Sequence, residues 1–309
     1  MDKIEQAKGH SEEYFGDYRD YWYNDDFLEL MAKRWKLHEI DSLLDVGCGQ
    51  CHWSRLLSNF IMSGASVTAV DSDEKWAEEN EAIARFFEDN GIDFSKRKAD
   101  VYQLPFDGDS FAAVTCQTLL IHLDDPMAAL IEMKRVLRPG GILICAEPNN
   151  AASHLLRDSL VANDSVEERI EDIRAALIYE KGKIGLGLGD NSLGDLVPGM
   201  LNQAGFEEVK SFLSDKCNTM IPPYQTPEMK IFANDILKES EFKSEMDEER
   251  RNYLGEQIGE GSEDVYDSIL RREAQCRARA MSALQEGSYH SAGGSVMYLS
   301  SGRKISGQC

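Results

Sequence analysis

Ser42-Leu-Leu-Asp45-Val-Gly47-Cys-Gly49-Gln-Cys51-His52-Trp53 decides the fold. Its first five residues read as a short buried strand. Two glycines then open a turn, and Trp53, Leu56, Leu57 and Phe60 recur at helical spacing. Strand, glycine turn and helix make a βα unit, and the turn lies at the carboxyl end of the strand. There a ligand can approach bare backbone, and the next helix offers unpaired N–H groups. A nucleotide-type cofactor suits that geometry, although a G-x-G alone is a common turn.

The pattern repeats outward. A strand over Ala65 to Val70 ends at Asp71, and a long helical stretch follows from Asp73 to Asp89. Strands are predicted near Asp93 to Ala99, Phe111 to Cys116 and Ile142 to Ala146. A helix from Met127 to Leu137 stops at Arg138-Pro-Gly-Gly, where proline cannot continue it. Alternating strands and helices predict an α/β fold, a doubly wound, mostly parallel sheet covered on both faces. Two later strands, Glu207 to Leu213 and Ser295 to Ser300, bring the sheet to seven.

Beyond Asn150 the texture changes, with helices expected around Ser153 to Val161, Val166 to Glu180 and Ser192 to Gln203. Thr226 to Glu286 is helical and highly charged, and if the last two strands pair it is an insertion before the final strand. The expected organisation is an N-terminal helical flap (1–40), a core (41–225 plus 291–309) and a helical insertion (226–290) able to serve as a lid. The flap carries an aromatic cluster, Tyr14 to Tyr23, then Phe27, Leu28, Leu30, Met31 and Trp35 on one face behind a cap at Asn24 or Asp25.

Composition narrows the function. The 309 residues carry 55 acidic against 33 basic side chains, a formal charge of -22. That repels phosphate backbones at long range, so nucleic acid is not the expected partner. With no signal-like start and no run of about 18 apolar residues, the expected location is cytoplasmic. Seven cysteines, an odd number scattered through strands and helices, read as free thiols.

The dinucleotide fingerprint needs a third glycine where this chain has His52, which disfavours a nicotinamide dehydrogenase. Leu43-Leu-Asp-Val-Gly-Cys-Gly, Val70-Asp71, Ala99-Asp100-Val101 with Leu104-Pro-Phe, and Val136-Leu-Arg-Pro-Gly-Gly together resemble the ordered motifs of class I S-adenosylmethionine methyltransferases. The likeness is to the branch holding quinone-biosynthesis C-methyltransferases and many small-molecule enzymes, and it covers Leu43 to Pro148. The chain departs from it at Cys51, where the family usually has glycine.

The resemblance implies S-adenosylmethionine as cofactor and a role for each matching position. Gly47 and Gly49 pass close to the methionyl part and ribose, and Asp45 holds the amino group. Asp71, with Ser72 beside it, takes the ribose hydroxyls. Asp100 and the Val101 N–H take the adenine, and the Gln117 backbone meets the methionine amino group. Arg19 is the candidate partner for the methionine carboxylate.

His122 and His154, just beyond strands four and five, are candidate general bases for a small-molecule acceptor. Asp124, Asp125, Asn149 and Asn150 are better read as turn and cap residues than as metal ligands, and no metal is expected. Cys48-Gly-Gln-Cys51 is better read as part of the cofactor loop than as a redox motif. The alternative to a small-molecule methyltransferase is a non-catalytic scaffold or sensor that binds S-adenosylmethionine without turnover.

Overall fold

The computed structural model describes residues 19, 21–78, 80–238, 251–257 and 263–305. Tyr14, Tyr18 and Cys309 lie outside the described residues. The chain divides into two compact units. A sheet unit comprises Trp22–Asn149, Leu193–Asp215 and Met297–Cys309; a helical unit comprises Met1–Tyr21, Asn150–Ser192 and Lys216–Val296.

In the sheet unit, seven strands are β1 (Ser42–Val46), β2 (Ser66–Asp71), β3 (Asp93–Lys98), β4 (Phe111–Gln117), β5 (Leu137–Pro148), β6 (Glu207–Leu213) and β9 (Met297–Arg303). Their order is β3-β2-β1-β4-β5-β9-β6. β1 to β5 run parallel, and β9 lies antiparallel to both β5 and β6. The two late strands therefore pair, which meets the condition under which the stretch between them is an insertion. The order reverses between β1 and β4, so their carboxyl ends flank the crevice where an open α/β sheet takes its ligand.

β1 is buried along its whole length, and its side chains alternate between two cores. Leu43 joins Val67, Ala113 and Ile144 beneath Met31 and Trp35 of the helix Asp25–Trp35. Leu44 and Val46 join Val114, Leu143, Leu130, Met133 and Phe206 on the other face. Burial on both faces explains why β1 reads as a continuous apolar run broken only by Asp45.

Several boundaries differ from the sequence reading, each for a local reason. The expected helix Asp73 to Asp89 is two helices, Glu74–Ala77 and Glu81–Asp89, because the Asn80 side chain accepts from the Ala82 and Ile83 N–H groups and starts a new one. β5 begins at Leu137, not Ile142. Its pairing with β4 jumps from Phe111↔Leu137 to Ala113↔Ile142, so Arg138-Pro-Gly-Gly is absorbed as an irregularity within the strand.

The helix expected over Ser153 to Val161 is only Asn150–Ser153. Asp158 then turns the chain by accepting from the Leu160 and Val161 N–H groups. The helix expected from Ser192 starts at Val197, with proline in its first turn.

In the helical unit, Val166–Gly185 begins with a capping box between Ser165 and Glu168. Glu263–Gln285 is tied near that start by Arg272, which reaches Asp164, Glu168 and Asp172, and by Arg279, which shares Asp164. A strand pair missed in the sequence, β7 (Asn218–Met220) with β8 (Ser291–Gly293), brings together the two ends of the 221–290 segment. Among the described residues no helix is long and apolar enough to cross a membrane, and the described cysteines are free thiols.

Candidate functional site

The glycine turn is stitched to the end of β2. The N–H groups of Gly47 and Cys48 both donate to the Val70 carbonyl, at 2.9 and 3.0 Å. Gly47 has φ +68, strained for any side chain, and a Cβ there would lie 2.7 Å from Leu119 Cδ1, so a larger residue would have to push the Leu119 side chain aside. Gly49 donates its N–H to Asp71 Oδ2 at 3.0 Å, while its carbonyl accepts from Lys96 Nζ at 2.8 Å. Asp71 Oδ1 accepts from the Asp73 N–H at 3.0 Å. Cys51, the departure from the usual glycine, keeps a left-handed φ of +60 and closes the turn by donating to the Cys48 carbonyl at 2.7 Å.

Asp45 lies beneath this turn, 1% exposed. Its Oδ2 has no hydrogen-bond partner among the described residues. Burial pushes the carboxyl up to about 7; hydrogen bonds from Ser54 pull against that, the Asp71 charge adds to it, and Lys96 opposes it. A buried carboxyl with one oxygen unspent suits a cationic or N–H-bearing group of a ligand.

At the end of β3, Asp100 is exposed and its Oδ1 accepts from the Tyr102 N–H at 2.9 Å; Val101 is buried beside it. Tyr102 ties this loop to the one before helix Pro126–Val136 by donating its hydroxyl to Asp124 Oδ1 at 2.6 Å. Burial first, then that hydrogen bond, pushes the phenol up to about 12, and the same bond holds Asp124 below the usual carboxylate range.

At the end of β4, Gln117 is buried and its Nε2 donates to the Tyr23 hydroxyl at 2.8 Å. Thr118 follows at φ +48. The chain then turns through Leu119 into the short 3-10 segment Leu120–His122. Glu147, at the end of β5 and fully buried, anchors this turn. Its Oε1 accepts from the Leu119 N–H at 3.0 Å and the Leu120 N–H at 2.9 Å, with Cys116 Sγ at 3.7 Å.

The structure thus gathers Asp45, Gly47, Gly49 and Asp71 at the ends of β1 and β2, with Gly49 hydrogen-bonded to Asp71 and Asp45 buried close enough to feel the Asp71 charge. Ser72 lies exposed beside Asp71, Asp100 and Val101 follow the end of β3, and Gln117 ends β4. His122 is exposed at the end of its turn. Arg19, 5% exposed, and His154 belong to the helical unit and are not members of this cluster. The His154 imidazole is held below its usual range, first by desolvation and then by Arg169.

Asp125 caps the helix Pro126–Val136 by accepting from the Ala128 N–H, as its spacing before proline suggested. Among the described residues no group of three or more His, Cys, Asp or Glu is placed to hold a metal ion.

Sequence reasoning missed two residues, Lys96 and Glu147. Lys96 is the buried position of Asp93–Lys98, a strand whose other residues are polar except Phe94. Glu147 is an acid ending the apolar run Ile142–Ala146. Glu147 breaks its strand's apolar pattern, which was the one available signal; Lys96, beside Arg97 and Lys98, gave none.

Residues 44–145 match the family described as a methyltransferase domain. The chain is 34% identical over 110 residues to an uncharacterized methyltransferase of Schizosaccharomyces pombe, covering 35% of this chain and 40% of that one. It is 32% identical over 133 residues to the demethylmenaquinone methyltransferase of Staphylococcus epidermidis, covering 40% and 54%. The aligned part thus spans about half or less of these relatives. A candidate methyltransferase of Bacillus halodurans C-125, of solved structure, is 19% identical, with 91% of this chain and 100% of that one covered at a TM-score of 0.49.

Proposed function

We propose, on the premise that this chain carries a class I methyltransferase domain over residues 44–145, that it moves the methyl group of S-adenosylmethionine to a small-molecule acceptor. The observation that supports this best is a convergence at the switch point of the sheet. Gly49 is held between Asp71 and Lys96, above a buried Asp45 whose second oxygen is unspent. A glycine-lined backbone, an acid for ribose hydroxyls and an acid for an amino group are the donor and acceptor set that an amino-acid nucleoside needs.

In this reading Asp45 takes the amino group, and Gly47 and Gly49 pass the methionyl part and ribose. Asp71 accepts from the ribose hydroxyls with Ser72 at its side. Asp100 and the Val101 N–H address the adenine, and the Gln117 backbone bounds the amino end. Arg19 is assigned to the methionine carboxylate. When bound, S-adenosylmethionine supplies a methyl already activated by its sulfonium, so the protein's tasks are alignment and exclusion of water.

His122 and His154 remain the proposed bases for an acceptor that must lose a proton. The lowered His154 value leaves that ring neutral, and so able to accept one, at neutral pH. The charge of -22 favours a small molecule over a nucleic acid as acceptor, and a cytoplasmic setting is proposed with it.

Calorimetry with S-adenosylmethionine and its demethylated product tests the cofactor assignment. Binding by the wild type, lost in Asp71→Ala, is the expected result; absence of binding at about millimolar ligand overturns it. A screen of small acceptors with labelled cofactor tests turnover. Binding without transfer to any acceptor would favour a non-catalytic scaffold or sensor instead.

A further inference from the structure

The carboxyl of Glu147 is an internal latch at the carboxyl ends of β4 and β5. Its Oε1 takes two successive backbone N–H groups, Leu119 at 3.0 Å and Leu120 at 2.9 Å, and so caps the 3-10 segment Leu120–His122 from inside the fold. Only a side chain fixed in the sheet can do this, and Glu147 is fixed by pairing with Tyr298 of β9. The latched turn is strained at its start, where Thr118 has φ +48. Leu119, which the latch holds by its backbone, presses its side chain against the face of Gly47 where a Cβ would lie 2.7 Å from Leu119 Cδ1.

The buried acid thus acts at one remove on the glycine turn, through a single leucine. Burying a carboxyl completely, with Oε2 lacking a partner among the described residues, is costly. An apolar residue in its place would remove the oxygen that accepts from the two N–H groups and leave the turn free to relax away from Gly47.

We propose that Glu147 is a positioning residue for the cofactor loop, holding the β4 turn so that Leu119 sets the backbone of Gly47 for ligand. This deepens the methyltransferase reading and rests on it for the ligand's identity. It does not rest on that reading for the latch itself.

The test combines calorimetry with S-adenosylhomocysteine and amide hydrogen exchange over residues 117–122, on the full chain. Glu147→Ala should weaken binding about tenfold and expose the Leu119 and Leu120 amides to exchange. Glu147→Gln, which keeps an acceptor oxygen, should restore both to within roughly threefold of wild type. Val114→Ala, a core change in the neighbouring strand β4, serves as the stability control and should lower the melting temperature while leaving the affinity in place.

Leu119→Ala should reproduce the binding loss, and in the Glu147→Ala background it should add little, because both act through one contact. Unchanged exchange in Glu147→Ala, or additive losses in the double variant, overturns the proposal. If the wild type itself binds no S-adenosylhomocysteine, the methyltransferase reading fails, and the latch is then decided by the exchange result alone.

Discussion

Lys96 Nζ donates to the Gly49 carbonyl at 2.8 Å, joining β3 to the glycine turn across 47 residues of sequence. The same Gly49 residue gives its N–H to Asp71 at 3.0 Å. Two oppositely charged side chains therefore fix the orientation of one glycine. Lys96→Met keeps the aliphatic stem and removes the donor. A lost hydrogen bond to a charged group is worth roughly 1.5–3 kcal/mol, so affinity for S-adenosylmethionine should fall about tenfold or more, read by calorimetry.

Gly47 and Gly64 separate backbone strain from steric conflict. Both have positive φ, +68 and +76, but a Cβ at Gly64 meets nothing within 4 Å, whereas at Gly47 it meets Leu119. Gly64→Ala should cost about 1 kcal/mol of stability from φ alone. Gly47→Ala should cost more, roughly 2–4 kcal/mol, and should also abolish cofactor binding. Equal melting temperatures for the two variants would mean that Leu119 does not press on Gly47.

Asp45 should make cofactor binding pH-dependent. Its carboxyl is raised to about 7 by burial, and a cationic amino group binds the ionised form. Below that value a proton must leave on binding, so the apparent Kd should rise about tenfold per pH unit as pH falls below 7, and level off above it. Asp45→Asn should bind weakly with a flat profile. A wild-type Kd that is constant from about pH 5.5 to 8 would remove Asp45 from this role.

Glu147 should make stability fall as pH rises. Its folded value is raised from 4.5 to about 7, chiefly by desolvation, so the folded state holds a proton that the unfolded state has released within that window. Below about pH 4.5 both states are protonated and no penalty exists; the penalty grows through the window and is complete above about 7. Comparing Glu147→Gln with wild type cancels other groups, Asp45 included. The difference in unfolding free energy should shift toward the variant by roughly 3 kcal/mol between about pH 4 and pH 8, measured by urea denaturation.

The positions of the residues proposed to hold the cofactor were legible because their signals are local. The glycines at 47 and 49, the acid closing β2 and the Asp100-Val101 pair each sit at a strand end, and strand ends follow from apolar runs punctuated by turns. Lys96 and Glu147 were not legible. Their importance lies in contacts 47 and about 27 residues away, Gly49 for Lys96 and Leu120 for Glu147, which no window of neighbouring sequence contains. The helix expected over Ser153 to Val161 failed for a different reason. Asp158 offers the backbone a turn in place of the helix, and apolar periodicity does not register that competition.

By itself the sequence determined the alternation of strands and helices, the glycine turn and the acids that follow it, because those depend on periodicity and on which residues tolerate a left-handed backbone. The tertiary structure alone decided that β9 slots antiparallel between β5 and β6, and which buried charges brace the turn from outside it. Strand order and long-range side-chain contacts are set by how the two faces of the sheet are filled. That is a property of the packed chain rather than of any segment within it.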